Sequence, residues 1–451
     1  MALGLFLDIG STYTKGRVVD LKTGQLLASA KAYTTVETDV TIGINDCLLE
    51  LSRQVGKQEY KLKLASSSAA GGLRMAAVGL VKDLTTEAAK KAALTAGARV
   101  EKTYSYELTP EDLDELLALN PDIILLAGGT DGGNKKYIVE NAKKLSRLKL
   151  KGTVLVAGNR SAAREIAEIF AGKVDFKIAP NVLPDLNNLN IEPVQKIIRE
   201  IFLEKIVEAK GLKKAEQIVD KVMMPTPLAV LKGAEILAKK LGELILVDVG
   251  GATTDVYSVA SGTPTLSGVS LKGLPEPYVK RTVEGDLGLR RTVKNVVEYG
   301  EKEFLALGIS MEEVNSYVAK ISQIPTYLPK TSGEWEIEIA LARICVKTAM
   351  NRHAGRLEEV WTPSGKSYIQ YGKDLTAVPV LVGTGGPLVY TREPAGILAA
   401  GTYEESIPSI LKPKNPRFYL DTSYLLFAIG LLAEEDMDTS IKLLDFIEEI
   451  S

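Results

Sequence analysis

Residues 244–259 read LILVDVGGATTDVYSV, a stretch that predicts a strand, a glycine turn and a returning strand. Leu244–Val247 is apolar, as in a buried strand, and Val256–Val259 is a second β-prone run. Glycines without a β-carbon let the backbone N–H groups of a turn approach phosphate oxygens. The carboxylate of Asp248, at the end of the first strand, can hold Mg²⁺ through the waters of the ion. We therefore expect a hairpin whose tip binds a phosphorylated ligand.

The N-terminus repeats this pattern. Leu3–Leu7 is apolar, Asp8 follows, and a turn with Gly10 and several hydroxyl residues leads into the strand-like run Arg17–Val19. A single Asp-x-Gly turn is more often part of an ordinary hairpin, because Gly and Asp are common turn residues. Two copies, each behind a buried strand, favour a duplicated phosphate-binding element.

Four motifs, in this order and spacing, resemble the actin-like ATPase superfamily, which includes actin, the sugar kinases and the seventy-kilodalton heat-shock chaperones. They are DIGSTYTKG from Asp8 as the first phosphate loop, PTPLAVLKGAEIL from Pro225 as the helix connecting two lobes, VDVGGATTD from Val247 as the second phosphate loop, and VPVLVGTGGPL at Val378–Leu388 as the adenosine loop. The resemblance implies an α/β, two-lobed actin-like ATPase fold of duplicated ribonuclease H-like domains with an inserted α/β subdomain. The first lobe, with the insertion, would span residues 1–224 and the second lobe residues 225–420, and C-terminal helices in 421–451 would pack back on the first lobe.

The same resemblance implies the ligands, which are ATP or ADP with Mg²⁺. Asp8 and Asp248 would face each other across the cleft, position the hydrated ion and act as the catalytic residues, and Lys15 would neutralise phosphate charge. The nucleotide-binding residues would be Gly10, Ser11, Thr12, Tyr13 and Lys15 in the first loop, Gly250, Gly251, Ala252 and Thr253 in the second, and Gly383, Thr384, Gly385 and Gly386 in the adenosine loop.

One residue departs from the superfamily pattern. Where the chaperones have a glutamate that orients the attacking water, before the Pro-Thr of the connecting helix, this chain has Met224. Methionine cannot accept a proton or orient water. We therefore expect, at most, a slow ATPase.

Within the superfamily, the chain resembles the accessory-protein family of glutamate mutase, the MutL or GlmL type, which is unrelated to the DNA-repair protein of similar name. The resemblance rests on LDIGSTYTKGR, AAGGLRMAAVGLV, ILLAGGTDGG, VDVGGATTDV and GTGGPLVYTREPAGIL. It implies an ATP-dependent reactivating chaperone whose partners are the subunits of an adenosylcobalamin-dependent mutase, of the glutamate mutase or aminomutase type, and which releases damaged cobalamin. Two alternatives stay open: a small-molecule kinase of the same fold, with a carboxylate base such as Asp131, and a filament-forming actin-like protein.

The composition excludes several classes of function. The 451 residues carry a net charge of −2, so there is no basic field for nucleic acid. No apolar run approaches the roughly 18 residues of a membrane span, and Met1–Leu7 lacks the basic region and cleavage site of a signal peptide. We expect a cytoplasmic protein in which Cys47 and Cys345 are buried thiols.

His353 is the only histidine, which excludes a metal site with several histidine ligands. We expect it at an exposed or capped position of a helix. The chain also lacks the Asp-x-His-x-x-Gly motif by which many cobalamin domains bind their cofactor. This absence favours a protein that acts on the mutase and leaves the cofactor to it.

The region after the first hairpin alternates between strands and helices. Asp122–Ala127 is apolar and ends in GGTDGG at Gly128–Gly133, and two further strands follow, which predicts a parallel sheet. The glycine loop lies where strand meets helix, the edge at which such sheets bind ligands. It could bind phosphate or substrate, with Asp131 as the candidate side chain, or be a turn without a ligand.

Three further segments have expected structures. Glu192–Ala209 and Lys213–Met223 are predicted as charged, amphipathic helices, and Leu266–Lys280, rich in Gly and Pro, as a loop. Arg343 and Lys347 lie one turn apart on a predicted helix. They resemble the basic helix that clamps adenine in the chaperones, or they form a solvated charged face.

Overall fold

The computed structural model describes residues 2–10, 12–34, 39–68, 73–186, 188–206, 218–363 and 365–451. The chain forms two compact units. Unit 1 comprises Met1–Val230 and Gly273–Pro277, and unit 2 comprises Leu231–Lys272 and Tyr278–Ser451. The first boundary therefore lies within a helix, a few residues after the position predicted from the sequence.

Unit 1 is built from the following elements. Its strands are β1 (Leu3–Ile9), β2 (Tyr13–Asp20), β3 (Leu26–Tyr33), β4 (Leu62–Ser67), β5 (Arg74–Gly79), β6 (Arg99–Ser105), β7 (Ile123–Leu126), β8 (Thr153–Val156), β9 (Phe176–Ile178) and β10 (Lys221–Pro225). Its helices are α1 (Val40–Val55), α2 (Glu87–Thr95), α3 (Pro110–Leu119), α4 (Lys136–Leu145), α5 (Ala163–Phe170) and α6 (Glu192–Ile206), and α7 (Thr226–Leu241) begins in unit 1 and ends in unit 2.

Unit 2 continues with a second set of elements. Its strands are β11 (Leu244–Val249), β12 (Thr254–Val259), β13 (Val269–Lys272), β14 (Val279–Glu284), β15 (Arg356–Thr362), β16 (Gly365–Tyr371), β17 (Val380–Thr384), β18 (Arg417–Leu420) and β19 (Glu448–Ile450). Its helices are α8 (Val293–Ala306), α9 (Met311–Gln323), α10 (Ser332–His353), α11 (Gly386–Val389), α12 (Pro394–Ala399), α13 (Leu426–Leu432) and α14 (Met437–Lys442).

The central sheets of the two units have the same topology. The order in unit 1 is β3-β2-β1-β4-β10, and the order in unit 2 is β14-β12-β11-β17-β18 with β19 at the edge. In both sheets the first three strands in this order are antiparallel. The next two strands, β4 and β10 in unit 1 and β17 and β18 in unit 2, run parallel to the strand that precedes the glycine turn, which is β1 or β11. The strand order confirms the predicted α/β class and its duplication.

Alternation along β1 explains how the first sheet is covered. Leu5, Leu7 and Ile9 are buried in one core with Cys47 and Leu51 of α1. Successive side chains of a strand point to opposite faces, so every second residue of β1 meets this helix. Burial of these side chains fixes the register of β1, and a fixed register places the turn that follows it.

The inserted region of unit 1 is the predicted parallel sheet. Its order is β6-β5-β7-β8-β9, and neighbouring strands in it run parallel. Helix α3 begins with a capping box: the side chain of Thr109 accepts from the N–H of Asp112, and the side chain of Asp112 accepts from the N–H of Thr109. Buried Ile124 and Leu126 of β7 pack with Ile138 of α4.

Two secondary-structure predictions were wrong. Lys221–Met223, expected in a helix, belongs to β10, which pairs with β4; residues 207–217 lie outside the described part of the chain. A run of this length carries too little periodicity to separate helix from strand. The expected loop Leu266–Lys280 contains β13 and the start of β14, because strand pairing with β16 and β12 satisfies its backbone.

The C-terminal segment groups with unit 2, although the sequence led us to expect residues 421–451 on the first lobe. β19 pairs with β18 at the edge of the unit 2 sheet. The hydroxyl of Ser440 in α14 donates to the carbonyl of Ile429 in α13.

Within the described ranges, we find no helix whose length and hydropathy would let it cross a membrane.

Candidate functional site

The turn between β1 and β2 is closed by its own backbone. The N–H of Gly10 donates to the carbonyl of Tyr13 at 3.1 Å. A β-carbon on Gly10 would lie 2.6 Å from that carbonyl oxygen, so only glycine fits. Ser11, predicted to contact nucleotide, lies outside the described residues. Thr12 and Tyr13 are half-buried at the turn.

Asp8 lies at the end of β1 with its carboxylate held from two sides. Lys15, directly opposite on β2, donates to one oxygen at 3.4 Å. The hydroxyl of Thr226 donates to the other oxygen at 2.6 Å, and its oxygen also lies 3.3 Å from the hydroxyl oxygen of Ser66. Thr226 is the first residue of α7, so the start of the connecting helix is tied to this aspartate. The sequence pointed to this helix without selecting Thr226 as a site residue.

The turn between β11 and β12 closes in the same way. The N–H of Gly250 donates to the carbonyl of Thr253 at 2.9 Å, and a β-carbon on Gly250 would lie 2.9 Å from that oxygen. Within the part of the chain that the structure describes, no hydrogen bond engages the N–H groups of Gly251, Ala252 and Thr253. These groups are the donors that a phosphate would need.

The segment that follows β14 holds the other side of this turn. Leu289 donates its N–H to the carbonyl of Gly250 at 3.1 Å, and Arg290 donates its N–H to the carbonyl of Gly251 at 2.8 Å. In a trans peptide the C=O of one residue and the N–H of the next are coplanar and point in opposite directions. Fixing these two carbonyls therefore aims the N–H groups of Gly251 and Ala252 away from the segment.

Asp248 faces a different residue from its counterpart in unit 1. Its partner across the ladder is Asp255, where Asp8 has Lys15. Arg281 on β14 binds Asp255 with two nitrogens, at 2.6 and 2.9 Å, and the hydroxyl of Thr253 donates to Asp255 at 3.0 Å. The arginine neutralises the second carboxylate in a buried position. Sequence reasoning missed Arg281, because its place beside the hairpin depends on the pairing of β14 with β12.

The predicted adenosine loop lies beside Asp248. Thr384, the last residue of β17, is in register with Asp248. Gly385 has φ 101°, and a β-carbon there would overlap the carbonyl of Val249 and lie 2.9 Å from Oδ1 of Asp248. The turn thus needs glycine at 385. Glycine is favoured at 383 for a different reason, because a β-carbon there would lie 3.1 Å from the side chain of Leu388 in the core.

A buried aspartate anchors the same loop from the C-terminal side. Asp421 accepts from the hydroxyl of Thr384 at 3.4 Å and from the N–H groups of Leu425 and Leu426 at the start of α13. Its own N–H donates to the carbonyl of Gly383 at 3.0 Å. Sequence reasoning missed Asp421, because it lies in no recognisable motif.

The position of the missing glutamate is buried. Met224 has no exposed surface and lies on β10, in register with Ser66 of β4. Its side chain offers no oxygen with which to orient water.

The glycine loop of the inserted sheet is held together internally. Asp131 accepts from the N–H of Arg160 at 3.0 Å and from the amide of Asn181 at 2.9 Å. Asn159 donates to the carbonyl of Gly133 at 2.9 Å. The carboxylate of Asp131 thus orders the loop, which is a sufficient reason for its presence without a ligand.

The remaining candidate residues are the basic pair on α10 and the two cysteines. Lys347 forms ion pairs with Glu303 at 3.1 Å and Glu404 at 3.0 Å, while Arg343 is exposed. Cys47 and Cys345 are buried free thiols, as predicted, and burial raises the pKa of each to about 12.

His353 corrects a prediction, because it is fully buried rather than exposed. Its Nε2 lies 2.9 Å from the hydroxyl of Ser258, and its Nδ1 lies 2.8 Å from the hydroxyl of Thr282. Burial, and then the charges of Lys280 and Lys373, lower its pKa well below the ordinary value. The neutral ring therefore joins β12 and β14 behind the second hairpin.

The duplicated sheets, each with an aspartate before a closed glycine turn, define a protein of the actin-like ATPase fold. The model of the family described as MutL protein matches residues 4–446. Protein MutL of Clostridium tetanomorphum is 46% identical over 455 residues, covering 98% of this chain and 98% of that protein. The chain belongs to the MutL protein family.

Several solved structures resemble the chain at much lower identity. A nucleotide-free acetone carboxylase is 14% identical with a TM-score of 0.42, over 95% of this chain and 70% of that one. A nucleotide-free diol dehydratase-reactivating factor is 11% identical with a TM-score of 0.38, over 96% and 99%. Gluconate kinase of Lactobacillus acidophilus is 11% identical with a TM-score of 0.37, over 100% and 93%.

Proposed function

We propose that the protein binds ATP or ADP with Mg²⁺ and works as a slow ATPase that reactivates an adenosylcobalamin-dependent mutase. The observation that carries this proposal is the pair of equivalent hairpins, each with an aspartate before a closed glycine turn, in a chain of the MutL protein family. The mutase would be of the glutamate mutase or aminomutase type, and the reaction would release damaged cobalamin. The buried free thiols Cys47 and Cys345 suit a reducing cytoplasm.

The residues of both hairpins fit a nucleotide and its metal. Asp8 and Asp248 supply carboxylates at strand ends, which suit a hydrated Mg²⁺ that keeps several of its waters. Lys15 supplies positive charge for phosphate. The N–H groups of Gly251 and its two successors supply hydrogen-bond donors without a side chain in the way. Because phosphoryl transfer is catalysed mainly by positioning and charge stabilisation, such residues are enough for a slow reaction.

Hydrolysis should be slow, since Met224 gives no base at the usual place. A positioned base contributes roughly 10²–10⁴-fold to rate. Turnover should therefore lie far below the median enzyme value of about 10 s⁻¹. Phosphate release from Mg-ATP by the wild-type protein measures it directly. Many turnovers per second would show that another residue activates the water.

The proposed role requires that nucleotide change the affinity for a partner. A ligand shifts such an equilibrium only by its differential affinity for the two states. The inserted parallel sheet is separate from the two duplicated sheets and would supply surface for this purpose. We propose that subunits of the mutase bind the protein differently in its ATP and ADP states.

The test is reactivation of the cognate mutase after inactivation by turnover. The mixture contains the protein, Mg-ATP and fresh adenosylcobalamin, and a parallel mixture contains a non-hydrolysable ATP analogue. Recovery of activity with ATP alone is the expected result. No recovery, together with no capture of the mutase in any nucleotide state, would overturn the proposal and favour a small-molecule kinase.

A further inference from the structure

Arg290 lies directly behind the second phosphate turn. Its N–H holds the carbonyl of Gly251, and a β-carbon on Gly251 would lie 3.4 Å from Cγ of Arg290. The backbone and the side-chain stem of this arginine therefore both contact the turn. The N–H of the next residue, Arg291, also donates to the carbonyl of Gly251, at 2.9 Å, but the side chain of Arg291 is exposed and does not contribute to this contact.

The guanidinium of Arg290 binds residues outside the turn. It forms an ion pair with Glu338 of α10 at 2.9 Å, and the two side chains are only 12% and 6% exposed. It also donates to the carbonyls of Pro325 and Tyr327, at 3.2 and 3.3 Å. Arg290 thus connects the turn with α10 and with the loop between α9 and α10, residues 324–331.

Glu338 is itself fixed by a second partner. The hydroxyl of Tyr317 in α9 donates to its other oxygen at 2.7 Å. Burial, and then the charge of Glu338, raise the pKa of Tyr317, so the phenol remains a donor. A buried, charge-assisted network of this kind holds its members in one arrangement.

The planarity of the peptide bond extends this constraint to the N–H groups on the other side of the turn. Because Arg290 fixes the C=O of Gly251, it also fixes the direction of the N–H of Ala252. We propose that Arg290, anchored by Glu338, is a positioning residue that aims this N–H at a phosphate oxygen and transmits nucleotide binding to loop 324–331. This inference rests on the proposed binding of ATP.

The experiment compares substitutions with matched chemistry. Arg290→Gln removes the anchor, Arg291→Gln is the control at the exposed neighbour, and Arg290→Gln with Glu338→Gln leaves no unpaired buried charge. Calorimetry with Mg-ATP should show affinity about tenfold weaker in both variants at 290, since a hydrogen bond to a charged group is misdirected. Arg291→Gln should bind as wild type.

Amide hydrogen exchange provides a second measurement that a purely structural role would leave unchanged. Mg-ATP should slow exchange in loop 324–331 about fivefold or more in wild type and in Arg291→Gln. The loop should not respond in the double variant.

The outcomes separate the two proposals. A folded double variant with wild-type affinity and a responsive loop would overturn the role of Arg290 and leave ATP binding intact. A wild-type protein without any affinity for Mg-ATP would overturn the proposed function itself, and the role of Arg290 with it.

Discussion

The hairpin β1–β2 and the hairpin β11–β12 share a backbone and differ in charge. In both, the N–H of the first turn glycine donates to a carbonyl three residues along the chain. The strand-end aspartate then faces a lysine in the first hairpin and an aspartate in the second. The shared part is the backbone turn, which is the part that would bind phosphate on the proposed function.

The two units neutralise the carboxylates beside their turns in different ways. Lys15 neutralises Asp8 from a side chain that is 27% exposed. In unit 2 the neutralising cation is Arg281, which is 3% exposed and binds the facing Asp255 rather than Asp248. The first hairpin therefore keeps a cation at the turn itself. The second hairpin places its cation in the core, and its turn presents backbone N–H groups instead.

The largest effect on stability should come from removing the buried cation. Arg281→Met leaves Asp255 buried without its charged partner, which should cost about 3–5 kcal/mol of unfolding free energy. Lys15→Met removes a partly exposed pair and should cost about 0–1 kcal/mol. Urea denaturation without nucleotide measures both values.

A double variant provides the control for this comparison. Arg281→Met with Asp255→Leu removes both charges, and should recover most of the loss because no ion is left unpaired. Equal costs for the two single substitutions would show that the hairpins are supported alike, contrary to our description.

The turn glycines should come next in size. A β-carbon would lie 2.6 Å from a carbonyl oxygen in Gly10→Ala and 2.9 Å in Gly250→Ala, so each turn must open. We expect each change to cost about 1–3 kcal/mol, with the larger cost at Gly10, and to weaken Mg-ATP binding. Gly333→Ala is the control, since a β-carbon there meets no atom within 4 Å. Unchanged nucleotide affinity in both turn variants would separate the turns from the ligand.

The smallest expected effect is on the pH dependence of the unfolding free energy, and it involves His353 of unit 2. His353 stays neutral in the fold because its pKa is lowered, whereas in the unfolded chain it takes up a proton below about pH 6.5. Its contribution to stability is therefore complete above that pH and declines as the pH falls below it, by up to about 1.4 kcal/mol per pH unit. His353→Gln should flatten the slope of unfolding free energy between pH 6.5 and 5.5. An identical slope in the variant would refute this assignment.

The sequence predicted the parts of the site that are local. Asp8, Gly10, Asp248 and Gly250 were found because a strand, an aspartate and a glycine turn follow one another within a few residues. The parallel sheet of the inserted region was predicted for the same reason, since each strand and its helix are neighbours in the chain.

The parts that the sequence did not predict depend on long-range pairing. Thr226 reaches Asp8 only because β10 joins the first sheet, and Arg281 reaches Asp255 only because β14 pairs with β12. His353 is buried because α10 ends behind that same strand pair. No local pattern distinguishes these residues from ordinary polar positions on a helix or strand.

The central claim is that the aspartates of both hairpins are needed for Mg-ATP to bind. Calorimetric titration with Mg-ATP tests it most directly, using the wild-type protein, Asp8→Asn, Asp248→Asn and the double variant. We predict one site per chain in the wild type, loss of Mg-dependent binding in either single variant, and no further loss in the double variant. Two sites per chain, with each single variant losing one of them, would contradict the claim.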